Sequence, residues 1–344
     1  MRTVQAVRFG GPEVLVPSEA PEPAPGPGQV LVDVSVVGIT FVETQIRRGV
    51  DPWHPRPELP YVPGGMVAGR VSAVGEGVDP GWAGRSVLAD AGSTGAFAER
   101  VAADAGSLVA VPEGLGLPEA AALHSDGATA TGLVEGARIV PGQWVLVEAA
   151  AGGLGSLLVQ LARSAGARVI GLARGERKLD LVRGLGAEAA IDYSSPDWSE
   201  QVLRVTGGAG VDVVFDGVGG EIGRAAFEVT ARHGRFSVHG ASSGHLTAIA
   251  PEQARRRGVE VLGIEQLFSF RARMRPWLEQ VMAQALAGRV RPVIGQTFPL
   301  ERAADAHAAI EGRTTLGKTL LLVRPRPSRG GGSRERSVPV AFGQ

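Results

Sequence analysis

The 344-residue sequence contains no cysteine. Disulfides, thiolate nucleophiles, iron–sulfur clusters and every cysteine-ligated zinc site are excluded with it. The absence suits a reducing compartment such as the cytosol. An excess of one charge is missing too: 35 Lys and Arg balance 35 Asp and Glu, for a formal net charge of +0. A neutral chain offers no basic footprint to nucleic acid or anionic lipid, so neither is expected as a partner. Lysine is scarce, with only Lys178 and Lys318 among the basic residues. An arginine bias is what GC-rich coding produces, and lysines that persist against it are worth following. Long apolar runs are lacking as well. The opening MRTVQAVRFGG has no signal-peptide stretch. The most apolar window, residues 145–162, carries Glu148, Gln160 and three glycines, and fails as a spanning helix. A soluble, cytoplasmic protein is expected.

What is present suits a globular chain of about two domains. The hydrophobic fraction of 44% can fill a core, and 50 glycines with 23 prolines mark many turns without a collagen-like period. Up to residue 110 the pattern is short β-rich runs between Pro/Gly clusters, at 3–9, 29–37, 68–74, 86–89 and 96–101. This predicts a β-barrel-like domain. Residues 117–133 are alanine-rich and helical in character. From Trp144 strands alternate with helices: strands at 144–149, 168–173, 189–192, 211–216, 235–239 and 259–264, helices near 154–165, 177–185, 199–205 and 222–231. Six strands separated by helices predict a doubly wound parallel sheet, so the fold class is α/β. Helices follow at 272–287 and 300–311, and a strand at 319–323. The Pro/Gly/Ser/Arg-rich stretch 324–344 is expected to be disordered.

The strongest local signal is VLVEAAAGGLGSLLVQLARSAGARVIGLARGERK, residues 145–178. In G-x-G-x-x-G register its positions are Ala150, Gly152 and Gly155, with Gly153 and Leu154 in the turn. Gly152 lets backbone approach a pyrophosphate, and Gly155 lets the helix pack on the strand. The helix N-terminus adds free N–H groups. The alternative is a tight strand–helix turn without a ligand. An NAD site usually places an acid at the end of the second strand. Here that strand ends at Ala173-Arg174, and Arg174 and Lys178 bracket the turn. Two cations suit a 2′-phosphate, so NADPH is the expected cofactor. The competing reading is a solvated turn with Glu176 blunting the charge.

With these motifs in place, the chain resembles the zinc-independent quinone oxidoreductase (zeta-crystallin-like) branch of the medium-chain dehydrogenase/reductase superfamily. AAAGGLG followed by QLARSAGARVI, then VDVVFDGVGG, carries the resemblance, which spans residues 1–323. It implies a GroES-like β-barrel catalytic domain at 1–122, completed by 266–323, around a Rossmann domain with a six-stranded parallel sheet at 123–265. It also implies a homodimer through the edge strand near 259–264. By position it sets NADPH against residues 150–154, Arg174, Lys178 and Tyr193, with Gly240, Ala241 and Ser242 along the nicotinamide. It places Thr129, in DGATAT, beside the nicotinamide, and Lys318, in LGK, near the cofactor phosphates. Ordinary packing or surface charge is the plainer reading of Tyr193 and Lys318.

Departures from the family pattern are informative. Zinc-dependent relatives carry a cysteine within the segment matching 38–43 and Gly-His-Glu at 64–66; this chain reads GITFVE and GGM. No metal site is expected. The six histidines, at 54, 124, 233, 239, 245 and 307, lack ligand spacing. Quinone reductases of the family often have Asn and Tyr where this chain has Thr40 and Gln45. Thr40 retains one donor for a substrate carbonyl. Trp53, His54 and Tyr61 offer walls for a flat apolar substrate, or simply pack their loop. Without zinc or a proton relay, the expected reaction is hydride transfer to a quinone or α,β-unsaturated carbonyl, whose conjugation spreads the incoming charge. The proton can come from solvent, Thr40, Thr129 or His124. The alternatives are an enoyl-thioester reductase or a low-turnover NADPH-binding structural or redox-sensing protein.

Overall fold

The computed structural model describes residues 1–323, so the expectation of a disordered 324–344 tail lies outside the described residues. In chain order the first part comprises β1 (Arg2–Ala6), β2 (Leu15–Glu19), β3 (Gln29–Ile39), α1 (Phe41–Arg48), β4 (Met66–Val74), β5 (Ser86–Asp90), β6 (Arg100–Asp104), β7 (Val109–Ala110) and α2 (Leu117–Ala137). Then come β8 (Trp144–Val147), α3 (Gly153–Ser164), β9 (Arg168–Ala173), α4 (Glu176–Gly184), β10 (Ala189–Asp192), α5 (Trp198–Val205), β11 (Val211–Asp216), α6 (Gly220–Glu228), β12 (Thr230–Val238), α7 (Pro251–Arg257) and β13 (Glu260–Leu262). The remainder is α8 (Gln266–Ser269), α9 (Met274–Leu286), β14 (Ile294–Pro299), α10 (Ala303–Glu311) and β15 (Lys318–Leu322).

Strands β8 to β13 form one six-stranded sheet in the order β10-β9-β8-β11-β12-β13, and every pairing in it is parallel. This is the doubly wound arrangement, with its crossover point between β8 and β11. The strands are buried apolar runs, such as Trp144–Val147 with all four residues buried, because helices cover both faces. Loops at the carboxyl ends of β8 and β11 therefore flank a crevice where a ligand can lie.

The other large sheet runs β14-β15-β3-β4-β5-β7, with β6 also paired to β3. The long β3 shares one edge between two partners: β6 pairs with its residues Gln29–Asp33, β15 with Val36–Ile39. Register shifts between Leu31 and Val32 and between Val34 and Val36 let it bend that way. The chain's last strands thus complete the sheet begun by its first hundred residues. Its alternating inward residues, among them Val30, Val32, Val34, Val37 and Ile39, form their own core with Val67, Val87 and Phe97.

Helix α2 belongs to both halves. Its Ala120, Ala121 and Leu123 share a core with Val36 and Leu88 of the barrel sheet and with Leu157 and Leu158 of α3. Alanine on this helix allows both neighbours to approach closely. A second stitch joins the glycine turn after β8 to the start of β15: Gly317 N donates to Ala151 O at 2.7 Å, and Gly152 and Gly317 form a parallel bridge. Gly317 holds φ +53, and a Cβ there would overlap Val293 O, so only glycine fits.

The element pattern departs from sequence expectation at a few places. Helix α6 stops at Glu228 and β12 begins at Thr230, where a helix to 231 was expected. Strand β12 pairs with Val211 as well as with Val213–Asp216, so tertiary pairing claims the extra residues. Helix α1 and strand β2 were not foreseen.

Candidate active site

Between the two sheets lies a cavity of about 620 Å³. Its wall includes Thr40, Gln45, Trp53, His54, Thr129, Gly152, Gly153, Leu154, Gly155, Arg174, Lys178, Tyr193, Gly240, Ala241, Ser242 and Lys318. Most residues singled out from sequence are therefore brought together; Ala150, Tyr61 and His124 do not line the cavity. Ala150 is fully buried; its Cβ covers Gly171 of β9, so it supports the turn from beneath.

The glycine turn forms because β8 ends under the N-terminus of α3. Ala149 adopts φ +47, a left-handed conformation unusual for alanine, and turns the chain sharply. Gly152 N then donates to Ala149 O at 2.9 Å. A Cβ on Gly155 would overlap Ala149 O, so the helix seats directly on the strand end. Helix α3 starts without a side-chain cap, so its first N–H groups face the cavity unsatisfied by the chain. Beside the turn, Asp126 Oδ2 meets Lys318 Nζ at 3.1 Å, both side chains being largely buried. A Cβ on Gly153 would overlap this carboxylate. The Lys318 charge offsets Asp126, so the turn does not confront an anion with net negative charge.

At one end of the cavity the cations gather. Arg174 stands over the Tyr193 ring at 5.8 Å, and Lys178 Nζ donates to Arg313 O at 2.7 Å. Arg313 lines the same end and reaches Ser242 O at 3.2 Å. Burial, and then the Arg174 and Arg313 charges, hold the Lys178 ammonium below its ordinary value. Asp192 is a partial counter-charge: against burial, hydrogen bonds from Ser194 and Gly175 and the Arg174 charge hold its carboxyl below its ordinary value. Glu176 does not supply one: it is exposed and paired with Arg183. Asp192 is engaged by Gly175 N at 2.8 Å, which braces the turn after β9. Sequence reading missed Arg313, because the loop before β15 carries it to the site from a distant part of the chain.

A buried carboxyl pair lies under the centre. Glu148 Oε2 accepts from Val218 N at 3.0 Å, and Asp216 accepts from Gly219 N at 2.7 Å and Thr247 Oγ1 at 2.5 Å. Burial, and next the Asp216 charge, raise the Glu148 carboxyl well above the usual range, favouring its protonated form. Glu148 Oε1 and His239 Nδ1 are buried without partners while both residues line the cavity. Burial pushes the His239 imidazole down to about 4, against the pull of Asp216, so it is neutral.

At the other end, Thr40 caps α1 in a capping box, with its backbone N donating to Glu43 Oε2 at 2.6 Å. Gln45 Nε2 donates to Thr44 Oγ1 at 2.9 Å. Trp53, Phe41, Leu267 and Phe268 give this end an apolar, aromatic character. Tyr61 is buried away from it in the barrel core. His124 Nδ1 is buried and unpartnered, and burial, then the Lys318 charge, push its imidazole down to about 4.

Comparisons with known proteins agree with this geometry. Residues 26–113 match the family described as alcohol dehydrogenase GroES-like domain, and residues 185–321 the family described as zinc-binding dehydrogenase. The chain is 34% identical to a 2-haloacrylate reductase of Burkholderia sp over 329 residues, covering 91% of this chain and 96% of that protein. It is 32% identical to a quinone oxidoreductase of Rattus norvegicus over 326 residues, covering 94% and 98%. The solved structure of the Escherichia coli quinone oxidoreductase complexed with NADPH superimposes with a TM-score of 0.86 at 29% identity, covering 94% of this chain and all of the other. The residues here do not fit the zinc of the second family's description. Cysteine is absent, residues 64–66 read GGM, and no group of three His, Asp or Glu among the described residues could hold a metal. The chain is an oxidoreductase and belongs to the quinone oxidoreductase (zeta-crystallin-like) branch of the medium-chain dehydrogenase/reductase superfamily.

Proposed function

We propose that the protein reduces quinones or α,β-unsaturated carbonyl compounds with NADPH and without zinc. The observation that carries this reading is the polarity of a single cavity, cationic at Arg174, Lys178 and Arg313 and apolar at Trp53 and Phe268. NADPH, when bound, supplies a hydride at its nicotinamide. The α3 N-terminus and residues 152–154 would hold the pyrophosphate, through unsatisfied N–H groups and the helix dipole. Arg174, Lys178 and Arg313 would take the 2′-phosphate, with Tyr193 as the wall beside it. Gly240, Ala241 and Ser242 would leave the nicotinamide room to lie flat. Thr40 and Thr129 would orient the acceptor carbonyl. The apolar end would bind a conjugated acceptor, which needs no Lewis acid because its own π-system spreads the charge.

The 2-haloacrylate reductase among the relatives bears a name that fits an activated double bond, and the rat relative's name fits a quinone. Strand β13 pairs only with β12, and we expect a homodimer through its outer edge. The decisive experiment is NADPH oxidation with 9,10-phenanthrenequinone, 1,4-naphthoquinone, alkenals and crotonyl-CoA, with and without 1,10-phenanthroline. Chelator-resistant turnover of a quinone or alkenal supports the reading. No turnover with any of them, or turnover abolished by chelator and restored by zinc, would overturn it.

A further inference from the structure

We propose that His54, oriented by Asp51, donates the proton that completes reduction of an enone substrate. This deepens the reading above and rests on it. Residues 51–54 form a tight loop around one carboxylate oxygen. Asp51 Oδ2 accepts from Trp53 N at 3.2 Å, from His54 N at 2.7 Å, and lies 2.9 Å from His54 Nδ1. The Asp51 side chain is 3% exposed, whereas that of His54 is 47% exposed. The carboxylate therefore fixes both the loop and the ring, and selects Nδ1 as the bonded nitrogen. Nε2 has no hydrogen-bond partner among the described residues. Both residues line the cavity that also contains Thr40, Thr129 and Gly240. A substrate there can reach this imidazole, and solvent can re-protonate it at the cavity mouth.

Four other titratable candidates are ill placed. His124 does not line the cavity, and its ring is held neutral by burial. His239 is also held neutral, with its Nε2 close over Gly217. Tyr193 belongs to the cationic end beside Arg174. Lys318 is tied to Asp126.

The step balances as follows. Hydride addition at the β-carbon of an enone leaves an enolate. The doubly protonated His54 gives its Nε2 proton to the α-carbon; a C–H bond forms, and the N–H electron pair stays on nitrogen. Asp51 stabilises the imidazolium before transfer and holds the ring in place, which makes it a positioning residue. The saturated ketone and oxidised nicotinamide leave, and solvent restores the imidazolium proton. A quinone makes no such demand. Hydride addition to it yields a phenolate, a weak base that takes its proton from water.

The two acceptors therefore separate the role of His54 from its packing. His54→Gln keeps a polar side chain of similar reach but cannot act as an acid at neutral pH. With 3-buten-2-one its kcat should fall about 100-fold or more, within the range of general acid catalysis. KM should change little, and the ratio of enone kcat to 9,10-phenanthrenequinone kcat should fall by about ten-fold or more. Asp51→Asn should lower the enone kcat in the same selective way, and kcat of the wild-type enzyme with the enone, but not with the quinone, should fall in D2O. Retained enone turnover in His54→Gln, or an equal loss with both acceptors, would overturn the inference alone, since the wild-type rates stand as the reference. Wild-type enzyme that reduced the quinone but not the enone would also overturn it. Inertness toward both would overturn the wider functional reading and this step with it.

Discussion

The coenzyme end of the cavity gives the most direct numerical expectation. Three cations converge there with Asp192 as a partial counter-charge to Arg174, and NADPH differs from NADH only by the phosphate they would meet. Lys178 is half-buried and already bonded to Arg313 O at 2.7 Å. A hydrogen bond from such a charged group contributes roughly 1.5–3 kcal/mol. At about 1.4 kcal/mol per decade, Lys178→Ala should weaken NADPH about 10- to 150-fold. Arg174 and Arg313 are exposed, and solvent screening reduces each to about 1 kcal/mol, or roughly five-fold. NADH should scarcely respond to the Arg174 change. Lys178→Ala also frees the Arg313 carbonyl, so any common loss in NADH measures that disturbance and is subtracted. The assay is kcat/KM for both coenzymes in wild type and three alanine variants, with Kd from nucleotide fluorescence. Raising salt should erode NADPH binding more than NADH binding. Wild-type preference for NADH, or equal losses in both coenzymes at Arg174 and Lys178, would refute the phosphate cluster. Glu176 would then be the acid to test, although its pairing with Arg183 argues against it.

Further expectations follow from the core of the site. Glu148 is protonated in the folded state and ionised in the unfolded chain above the ordinary carboxylate range, so the folded state binds the extra proton and stability falls as pH rises from there to its raised value. Glu148→Gln mimics the protonated form; it should remove up to about 1.4 kcal/mol of loss per pH unit, so melting curves of wild type and variant should converge in the ordinary carboxylate range and diverge as pH rises above it. Gly155→Ala should destabilise by about 1–3 kcal/mol, since its Cβ overlaps backbone, while Gly136→Ala, in α2 with nothing within 4 Å, should stabilise slightly; equal melting shifts would contradict the close-packing account. Asp126→Asn alone should cost about 3 kcal/mol by stranding the buried Lys318 ammonium, and adding Lys318→Met should recover most of it; additive losses in chemical denaturation would show that the pair is not coupled.

Much of the Rossmann half was legible because its strands are unbroken apolar runs bounded by turn residues. Residues 168–173, 189–192 and 211–216 were read to their observed ends. The barrel half was harder. Strand β2 contains Pro17 and is largely exposed, so it carries no alternating apolar signal. Helix α1 has only eight residues, yet Thr40 and Glu43 spell a capping box that marks its start. In the site, the glycine turn and Lys178 were readable as cavity-lining positions because both lie next to strand ends that the local sequence sets. Lys318 was ambiguous, since only the fold reveals that it is buried against Asp126. Arg313 was invisible: it lies 135 positions from Lys178 and meets it through a backbone carbonyl, which residue identity does not encode. Tyr61, a plausible substrate wall from sequence, is turned into the barrel core.

The loop between α10 and β15 explains why this site cannot be assigned to one sheet. Arg313 touches Ser242 O and accepts from Lys178; Gly317 donates to Ala151 O; Lys318 pairs with Asp126 beside Gly153. Within a few residues the loop contacts the turn after β8, helix α4 and the segment after β12 and then enters β15, which pairs with β3 immediately before Thr40. The cationic end and the acceptor end of the cavity are thus joined through one continuous backbone segment. The proposed phosphate and substrate contacts would therefore depend on the same short stretch of chain. The left-handed Gly317 is its fixed point, because any side chain there would break the contact with Val293 and the glycine turn together.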